Sequence, residues 1–325
     1  MTLAIGLARD GSPNHVRRFN PWQDGKAIAT LLDQAFYEEL RTSSSGAGEP
    51  ATSRSSMASA LQNMGSIEAL ALQRAPGFVW EEDGQLVGHA SIQRNPTRSD
   101  TWVIGNVATR ADMRNRGIST ALVQAAIAFA AQQSGARNVA LQVMDGNTPA
   151  HHVYKRCGFE TLTSVTRYRN RTSQLSEAGS GKVVARRTRL RDRAHVSACV
   201  SATLTEQVRY SESFDDAVYR LDIGWWLWNS LNGNRDQWHR TERGALRTRA
   251  NFDLAEHHLE LFLQPEATIE EAHALVGAGL QRLNDYVSKP VAAMLPREQH
   301  VAHAALMDAG FKPTQTFVHM LKRLK

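Results

Sequence analysis

Apolar and polar residues alternate along the front half of the chain with the two periods typical of helices and strands. Apolar residues recur every three to four positions at residues 24–40 and 117–133, which predicts two amphipathic helices. The pair Asp83-Gly84 separates two apolar runs and predicts a hairpin turn, because glycine accepts positive φ. The remaining elements are predicted, in chain order, as strands at 15–19, 78–81, 86–93, 101–109 and 138–144, a short helix at 148–156 and a strand at 159–170.

The second half of the chain repeats this order of elements at a constant spacing of 152 residues, the distance from Gly158 to Gly310. At that spacing the tripeptide CGF at 157–159 falls on AGF at 309–311, and the long helix falls on 269–285. The segments keep one register without a gap. We infer an internal duplication, with a period too long for a solenoid.

Length and composition agree with two globular domains. The chain has 325 residues, of which 42% are hydrophobic and 22% charged. We place the first domain at residues 1–170, a polar linker at 171–182 and the second domain at 183–325. A low-complexity stretch at 42–56 is expected to form a mobile loop between two helices, because it cannot bury a core.

The sequence indicates a cytoplasmic protein with no membrane partner. Its longest nearly apolar stretch, residues 121–131, is too short to span a bilayer, and the mean hydropathy is -0.40. The short apolar run at the N-terminus has no basic residue before it, so no signal peptide is expected. Two cysteines, Cys157 and Cys199, cannot make a disulfide scaffold or a four-thiolate metal site.

The net charge of +6 and the pI of about 9.5 favour anionic ligands such as phosphate cofactors. No DNA- or RNA-binding motif is recognisable, so no nucleic-acid partner is expected. The adjacent His257 and His258 point to opposite faces of a predicted strand. His300 and His303 share one face of a predicted helix but lack a third ligand. We therefore expect no metal.

A basic loop with a glycine precedes the long helix of the front half. The loop carries Arg110, Arg114 and Arg116, and Gly117 opens the helix. The first turn of a helix has unpaired N–H groups and the positive end of the helix dipole, so it binds anions. Gly117 lets the backbone approach a phosphate closely, and the small Ser119 leaves room for it. This pattern predicts a site for a pyrophosphate or a similar dianion.

The hexapeptide RNRGIS at 114–119 resembles the R/Q-x-x-G-x-G/A motif of GCN5-related N-acetyltransferases, with serine at the last position. The segments VWEEDGQLVGHASI and NTPAHHVYKRCGFE resemble other parts of that family in the same order, so the resemblance covers residues 15–170. It implies an α/β fold with a mostly antiparallel central sheet flanked by helices. The duplication then gives two tandem acyl-CoA N-acyltransferase-like domains. The family's co-substrate is acetyl-CoA, whose pyrophosphate the loop binds.

The resemblance also implies residue roles. One strand offers backbone groups to the pantetheine arm, its neighbour splays away, and the acetyl thioester lies in that gap. Tyr154 stands where a tyrosine protonates the departing thiolate of CoA, which makes it the implied catalytic residue. The implied cofactor-binding residues are Val107, Ala108, Thr109, Arg114, Asn115, Arg116, Gly117, Ile118, Ser119, Thr120 and Asn147.

The implied reaction is direct attack of a primary amine on the thioester carbonyl, with backbone N–H groups stabilising the oxyanion. The acceptor is expected to be a small molecule or a peptide amine. The amine must lose a proton, yet Asn106 stands near the position where many relatives carry a glutamate. The candidates for the base are His89, Glu38, Glu39 and Asp100, and the sequence does not choose among them.

The second domain is expected to be degenerate. At the spacing of 152 residues, Gly117 falls on Ile269, Arg114 on Glu266 and Arg116 on Thr268. Glutamates at this helix start would repel a pyrophosphate. Thr268 and Glu271 form a predicted capping box, which satisfies the helix N–H groups that a phosphate would need. The expected roles of this domain are stability, shaping of the acceptor pocket, or contact within a homodimer.

Three functions stay open at this point. The first is an acetyl-CoA-dependent N-acetyltransferase that works through the front domain. The second is a CoA-binding regulatory protein without turnover, which the missing carboxylate at Asn106 favours. The third is a relative of mycothiol synthase, a two-domain small-molecule acetyltransferase. In that enzyme the working half is the C-terminal one, whereas here the motif lies in the N-terminal half.

Overall fold

The chain folds as two units. Unit 1 comprises Met1–Thr161 together with Met320–Lys325, and unit 2 comprises Leu162–His319. The predicted linker and residues 44–56 of the low-complexity stretch lie outside the described residues. The computed structural model describes residues 15–43, 77–170, 183–210, 219, 221–231, 236–250, 256–286 and 289–324.

Unit 1 contains a mostly antiparallel sheet with strand order β1-β2-β3-β4-β5, in which only β4 and β5 are parallel. The turn between β2 and β3 has positive φ at both Asp83 and Gly84, as predicted. The elements are β1 Val16–Arg18, α1 Pro21–Ser43, β2 Gly77–Glu82, β3 Gln85–Arg94, β4 Thr101–Thr109, α2 Ile118–Ala131, β5 Asn138–Met144 and α3 Thr148–Arg156.

Helices cover both faces of this sheet. Val79 in β2 packs against the apolar stripe of α1, which includes Ile28 and Leu31. The neighbouring Phe78 contacts Phe129 of α2, with ring centroids 6.1 Å apart. Because successive residues of a strand point to opposite faces, α1 and α2 lie on opposite sides of the sheet. The predicted mixed α/β class with flanking helices is confirmed.

Unit 2 has the same kind of sheet, with strand order β6-β11-β10-β9-β8-β7 and one parallel pair, β10 with β11. The elements that lie wholly or mostly in it are β6 Glu160–Asn170, β7 Arg186–Arg187, α4 Arg193–Thr203, α5 Glu206–Arg209, α6 Ile223–Leu231, β8 Asp236–Arg240, β9 Gly244–Arg249, β10 His257–Leu263, α7 Ile269–Leu283, β11 Val291–Pro296, α8 His300–Asp308 and β12 Lys312–Arg323, whose last four residues belong to unit 1.

The boundary between the units differs from the one that the sequence predicts at residue 170. Strand β6 lies beside β11, with Val165 opposite Pro296 and Asn170 opposite Val291. Val165 is also part of the apolar core of unit 2. The end of the chain belongs to unit 1, where the N–H of Leu324 donates to the carbonyl of Arg137 at 2.8 Å. Each unit therefore contains residues from both halves of the chain.

The same local hydrogen bonds recur at the spacing of 152 residues. The N–H of Phe159 donates to the carbonyl of Tyr154, and the N–H of Phe311 donates to that of Leu306, both at 3.0 Å. The glycine before each phenylalanine has positive φ, +84° at residue 158 and +82° at residue 310. These matched helix ends support the internal duplication.

Three buried histidines are expected to make the stability of the fold sensitive to acid. Burial lowers the pKa of His89, His239 and His319 to about 4, whereas an unfolded histidine has a pKa of roughly 6.5. Between these values the unfolded chain binds protons that the folded chain does not, so stability falls as the pH drops from 6.5 towards 4. Each histidine accounts for up to about 3 kcal/mol of this loss.

Urea denaturation at pH 7.5 and at pH 5.0 tests this expectation. The midpoint should be clearly lower at pH 5.0. Replacement of the exposed His152 by glutamine should leave the difference between the two midpoints unchanged. Equal midpoints at the two pH values would show that the three histidines are protonated alike in the folded and unfolded chain.

Candidate active site

Strand β4 carries a bulge at its centre. His89 of β3 stands opposite Ala108, but Ser91 stands opposite Gly105, so Asn106 and Val107 together face one residue of β3. Asn106 has a φ of +52°, which is rare for a residue other than glycine. An extra residue in one strand bends that strand and turns its backbone groups out of the ladder.

The register between the parallel strands β4 and β5 ends just before this bulge. Register partners between β4 and β5 run from the pair Thr101 and Asn138 to the pair Ile104 and Leu141. Strand β4 continues to Thr109, and the described residues of β5 offer it no further partners. The second half of β4 therefore borders a gap in which its backbone groups can meet a ligand.

The loop that follows β4 leaves the start of α2 open. Gly117 precedes α2 with a φ of +83°, and no side chain caps the helix. Asn115 also has positive φ, +64°. A Cβ placed on Gly117 would meet nothing within 4 Å, so no other part of the described chain crowds this position. The first N–H groups of α2 therefore face open space at the positive end of the helix dipole.

The arginines beside this opening are held by the turn between β2 and β3. Arg116 donates to Glu82 at 2.7 Å, and Arg110 donates to Gln85 at 2.8 Å and to Asp112 at 2.7 Å. Arg116 holds the pKa of Glu82 below its usual value. Exposed ion pairs of this kind are weak, so an incoming phosphate can compete for the guanidinium groups.

The structure brings the predicted strand end and the predicted loop together. The hydroxyls of Thr109 and Ser119 lie 2.9 Å apart, which joins the end of β4 to the first turn of α2. Ile118 points into the core, where its Cγ2 atom would be 2.7 Å from a Cβ on Gly88. Ile118 therefore has only backbone groups to offer a ligand, while Ser119 and Thr120 are partly exposed.

The two predicted residues of α3 have clear structural surroundings. Asn147 is the N-cap of α3, and its side-chain oxygen accepts from the N–H of Ala150 at 3.1 Å. Tyr154 is 7% exposed, and its ring meets Phe159 edge to face. Helix α3 packs against α2, the helix that opens at the loop. Burial of the tyrosine ring and its contact with Phe159 fix the position of this side chain.

The candidates for the base are separated by the structure. Asp100 precedes the start of β4, at the end of the strand far from the bulge, where Thr101 and Asn138 donate to its carboxylate. Its position fits a structural role in joining β4 to β5. The side chains of Glu38 and Glu39 lie outside the described residues.

His89 lies directly beside the bulge. Its Nδ1 atom is 3.1 Å from the carbonyl oxygen of Asn106. The side-chain nitrogen of Asn106 donates to Ser91, whose hydroxyl donates to the carbonyl of Gly105. Sequence reasoning missed Ser91, because the register shift that brings Ser91 and Asn106 together cannot be read from the pattern of apolar residues.

In unit 2 a side chain occupies the start of the corresponding helix. Thr268 and Glu271 form the predicted capping box, which is confirmed. The carboxylate of Glu271 accepts from the N–H of Thr268 at 3.1 Å and from the N–H of Arg243 at 2.8 Å. In unit 2 the hydroxyl of Thr268 and the carboxylate of Glu271 therefore satisfy N–H groups at the helix start, which no side chain of Gly117 can do in unit 1.

The loop before this helix is also shorter. Residues 264–268 separate β10 from α7, whereas residues 110–117 separate β4 from α2. In the parallel pairs Leu141 stands opposite Ile104, and Ala293 stands opposite Leu259. The spacing between equivalent residues of the two halves is thus 155 residues before this loop and 152 residues after it. The prediction of one register without a gap is wrong at this loop, because the loop of unit 2 lacks three residues.

The histidine pair and the membrane expectation can also be compared with the structure. His303 of α8 is engaged through both ring nitrogens, by the hydroxyl of Tyr168 at 2.8 Å and the carbonyl of Pro296 at 3.0 Å. No group of three or more potential metal ligands occurs among the described residues. Within the same residues, no helix is long and apolar enough to cross a membrane.

Comparison with known sequences finds relatives of the front half of the chain. Residues 33–159 match the profile described as the Acetyltransferase (GNAT) family. An N-alpha-acetyltransferase of Sulfurisphaera tokodaii is 30% identical over 111 residues, which cover 31% of this chain and 66% of that protein. The L-amino acid N-acetyltransferase AaaT of Escherichia coli is 32% identical over 98 residues, which cover 30% of this chain and 60% of that protein. The chain thus spans less than two thirds of the length of both relatives.

Solved structures share the fold over nearly the whole chain. A GCN5-related N-acetyltransferase from Sphaerobacter thermophilus has a TM-score of 0.61 at 14% identity, with 96% of each chain covered. A tandem GNAT protein from the clavulanic acid biosynthesis pathway has a TM-score of 0.51 at 15% identity, with 95% of this chain and 98% of that chain covered. Residues 33–159 are therefore similar to the GNAT family of acetyltransferases.

Proposed function

We propose that unit 1 is an acetyl-CoA-dependent N-acetyltransferase that acetylates a primary amine by direct attack. One arrangement carries this proposal: the bulged end of β4 borders a gap and leads into a helix whose start is uncapped. The gap suits an extended pantetheine arm, and the open helix start suits the pyrophosphate that follows that arm in CoA. In unit 2, Glu271 occupies the corresponding helix start.

In this proposal each group has one task. The N–H groups at the start of α2 and the side chains of Arg114 and Arg116 bind the pyrophosphate. The amine nitrogen attacks the thioester carbon, and N–H groups of β4 stabilise the resulting oxyanion. The oxyanion collapses and expels CoA as a thiolate, which takes a proton from the hydroxyl of Tyr154. The nitrogen loses its proton to water or to a group of the acceptor site.

Release of CoA tests the activity. Purified protein is mixed with acetyl-CoA and a panel of small amines and peptides, and the free thiol is measured. We expect thiol release that depends on an amine. The same assay distinguishes the enzyme from a second candidate function, a CoA-binding protein without turnover. The surroundings of His89 favour this second candidate. Burial lowers the pKa of His89 to about 4, so this imidazole is a weak base. Binding of acetyl-CoA without thiol release from any amine would select that candidate.

Removal of one hydroxyl tests the role of Tyr154. Tyr154→Phe is expected to lower kcat about 100-fold, because a positioned proton donor contributes that much. The Kd for acetyl-CoA should stay unchanged, because the ring and its contact with Phe159 remain. Tyr168→Phe is a matched control, since it removes a hydroxyl from a buried tyrosine of unit 2. Full turnover by Tyr154→Phe would remove this residue from the reaction.

A further inference from the structure

Three side chains hold the bulge of β4, and we call them the bulge cluster: His89, Ser91 and Asn106. His89 contacts the carbonyl of Asn106, Asn106 donates to Ser91, and Ser91 donates to the carbonyl of Gly105. The positive φ of Asn106 is unfavourable by itself. The hydrogen bonds of the cluster offset this cost, so the bulge depends on them for its conformation.

The surroundings of His89 determine which ring nitrogen carries the proton. The ring is 5% exposed, the edge of Phe19 lies against it, and the nearby charge of Asp24 only partly counters the effect of burial on its pKa. The ring is therefore neutral at pH 7 and carries one N–H group. A carbonyl oxygen can only accept, so Nδ1 donates to Asn106 and Nε2 carries no proton.

This hydrogen bond also fixes the direction of the next N–H group. The carbonyl of Asn106 and the N–H of Val107 belong to one peptide unit, and no cis peptide bond occurs in the described chain. In a trans peptide these two groups point in opposite directions. Because the carbonyl of Asn106 points to His89, the N–H of Val107 points away from it. The bulge leaves Val107 without a register partner in β3.

We infer that His89 is a positioning residue for acetyl transfer: by holding the carbonyl of Asn106, it aims the N–H of Val107 at the carbonyl oxygen of the bound thioester. This inference rests on the function proposed above. The group held by His89 is the backbone, so His89 touches neither substrate nor leaving group. In unit 2, β9 and β10 pair without a register shift, so unit 2 has no peptide of this kind.

The geometry of the side chain provides a sharp set of variants. In asparagine the amide nitrogen is as many bonds from Cα as Nδ1 is in histidine, and in glutamine it is one bond further, like Nε2. His89→Asn therefore keeps the donor to Asn106, whereas His89→Gln and His89→Leu lose it. Ser91→Ala removes the hydroxyl that bonds to Asn106 and to the carbonyl of Gly105. Ser91 is partly exposed, so a small residue is tolerated there.

Infrared spectroscopy of bound acetyl-CoA, labelled with 13C at the acetyl carbonyl, tests whether the N–H of Val107 donates to the thioester oxygen. The measurement needs no amine acceptor. In wild type and His89→Asn we expect the infrared band at lower frequency than in free acetyl-CoA. In His89→Leu and His89→Gln we expect it close to the free value, and in Ser91→Ala between the two. The Kd for acetyl-CoA should change by less than about threefold, because the pyrophosphate contacts remain.

With an amine that supports turnover, loss of the aimed donor should lower kcat about 100-fold in His89→Leu and His89→Gln. His89→Asn should keep kcat within about fivefold of wild type, because its donor remains. If His89→Leu fails to fold, His89→Gln and Ser91→Ala decide. If His89 had only a structural role, its variants would have a changed melting temperature, but the carbonyl band of bound acetyl-CoA would stay at the wild-type frequency.

Equal bands in all variants, or equal loss in His89→Asn and His89→Leu, would overturn the role of His89. In both cases wild-type turnover would still support the proposed function. A wild-type protein that does not bind acetyl-CoA would overturn the proposed function and this inference together.

Discussion

Gly117→Glu is expected to weaken acetyl-CoA binding at least about 100-fold, which corresponds to about 2.7 kcal/mol. The new carboxylate would enter the open space before α2, where nothing lies within 4 Å of a Cβ. It would accept from the N–H groups of the helix start and repel a pyrophosphate. In unit 2 a carboxylate already lies in the first turn of the corresponding helix, where Glu271 accepts from the N–H of the N-cap Thr268. Calorimetric titration with acetyl-CoA measures the effect.

Two variants separate this effect from backbone strain. Gly135 also has positive φ, +76°, and also has nothing within 4 Å of a Cβ, but it lies between α2 and β5. Gly135→Glu therefore introduces the same residue and a similar strain away from the loop, and it should bind acetyl-CoA like the wild type. Gly117→Ala adds strain without charge and should show a smaller loss. Wild-type affinity in Gly117→Glu would reject the loop as the pyrophosphate site.

A chain that ends at His319 is expected to lose acetyl-CoA binding completely, although it keeps every residue of the loop. The lost residues belong to unit 1, and they include Met320 and Leu321, which are 0% and 5% exposed. Loss of two buried side chains of this size costs about 2–5 kcal/mol each. That cost is a large part of the stability of a domain. Acetyl-CoA titration and thermal denaturation report the result.

The matched control is a chain that ends at Arg323. It keeps all of β12 and should bind acetyl-CoA like the full chain. For the same reason, residues 1–170 expressed alone should not give a stable acetyl-CoA-binding domain. A chain ending at His319 that binds acetyl-CoA with the wild-type Kd would show that unit 1 does not need the end of the chain.

Local elements follow closely from the sequence. The helix predicted at 148–156 and the strand predicted at 101–109 have the predicted bounds. The helix predicted at 117–133 runs from Ile118 to Ala131. These elements could be predicted because the spacing of apolar residues, the glycine at 117 and the Asp-Gly turn act over only a few neighbouring positions.

Only part of the candidate site could be predicted from the sequence. The loop could be read because its arginines and glycine are consecutive. The roles of Tyr154 and Asn147 stay predictions that the proposed experiments test. The bulge cluster could not be predicted, because it depends on a register shift between two strands. A shift of one residue changes which side chains meet without changing either strand's own pattern.

The sequence by itself determined the class of fold, the order of elements and the open, basic helix start of the front half. Each of these rests on the chemistry of residues close together in the chain. Only the tertiary structure decided that β6 pairs within unit 2, that the chain end belongs to unit 1, and that His89 faces the bulge. Strand pairing and register depend on contacts between residues far apart in sequence, and local periodicity does not encode those contacts.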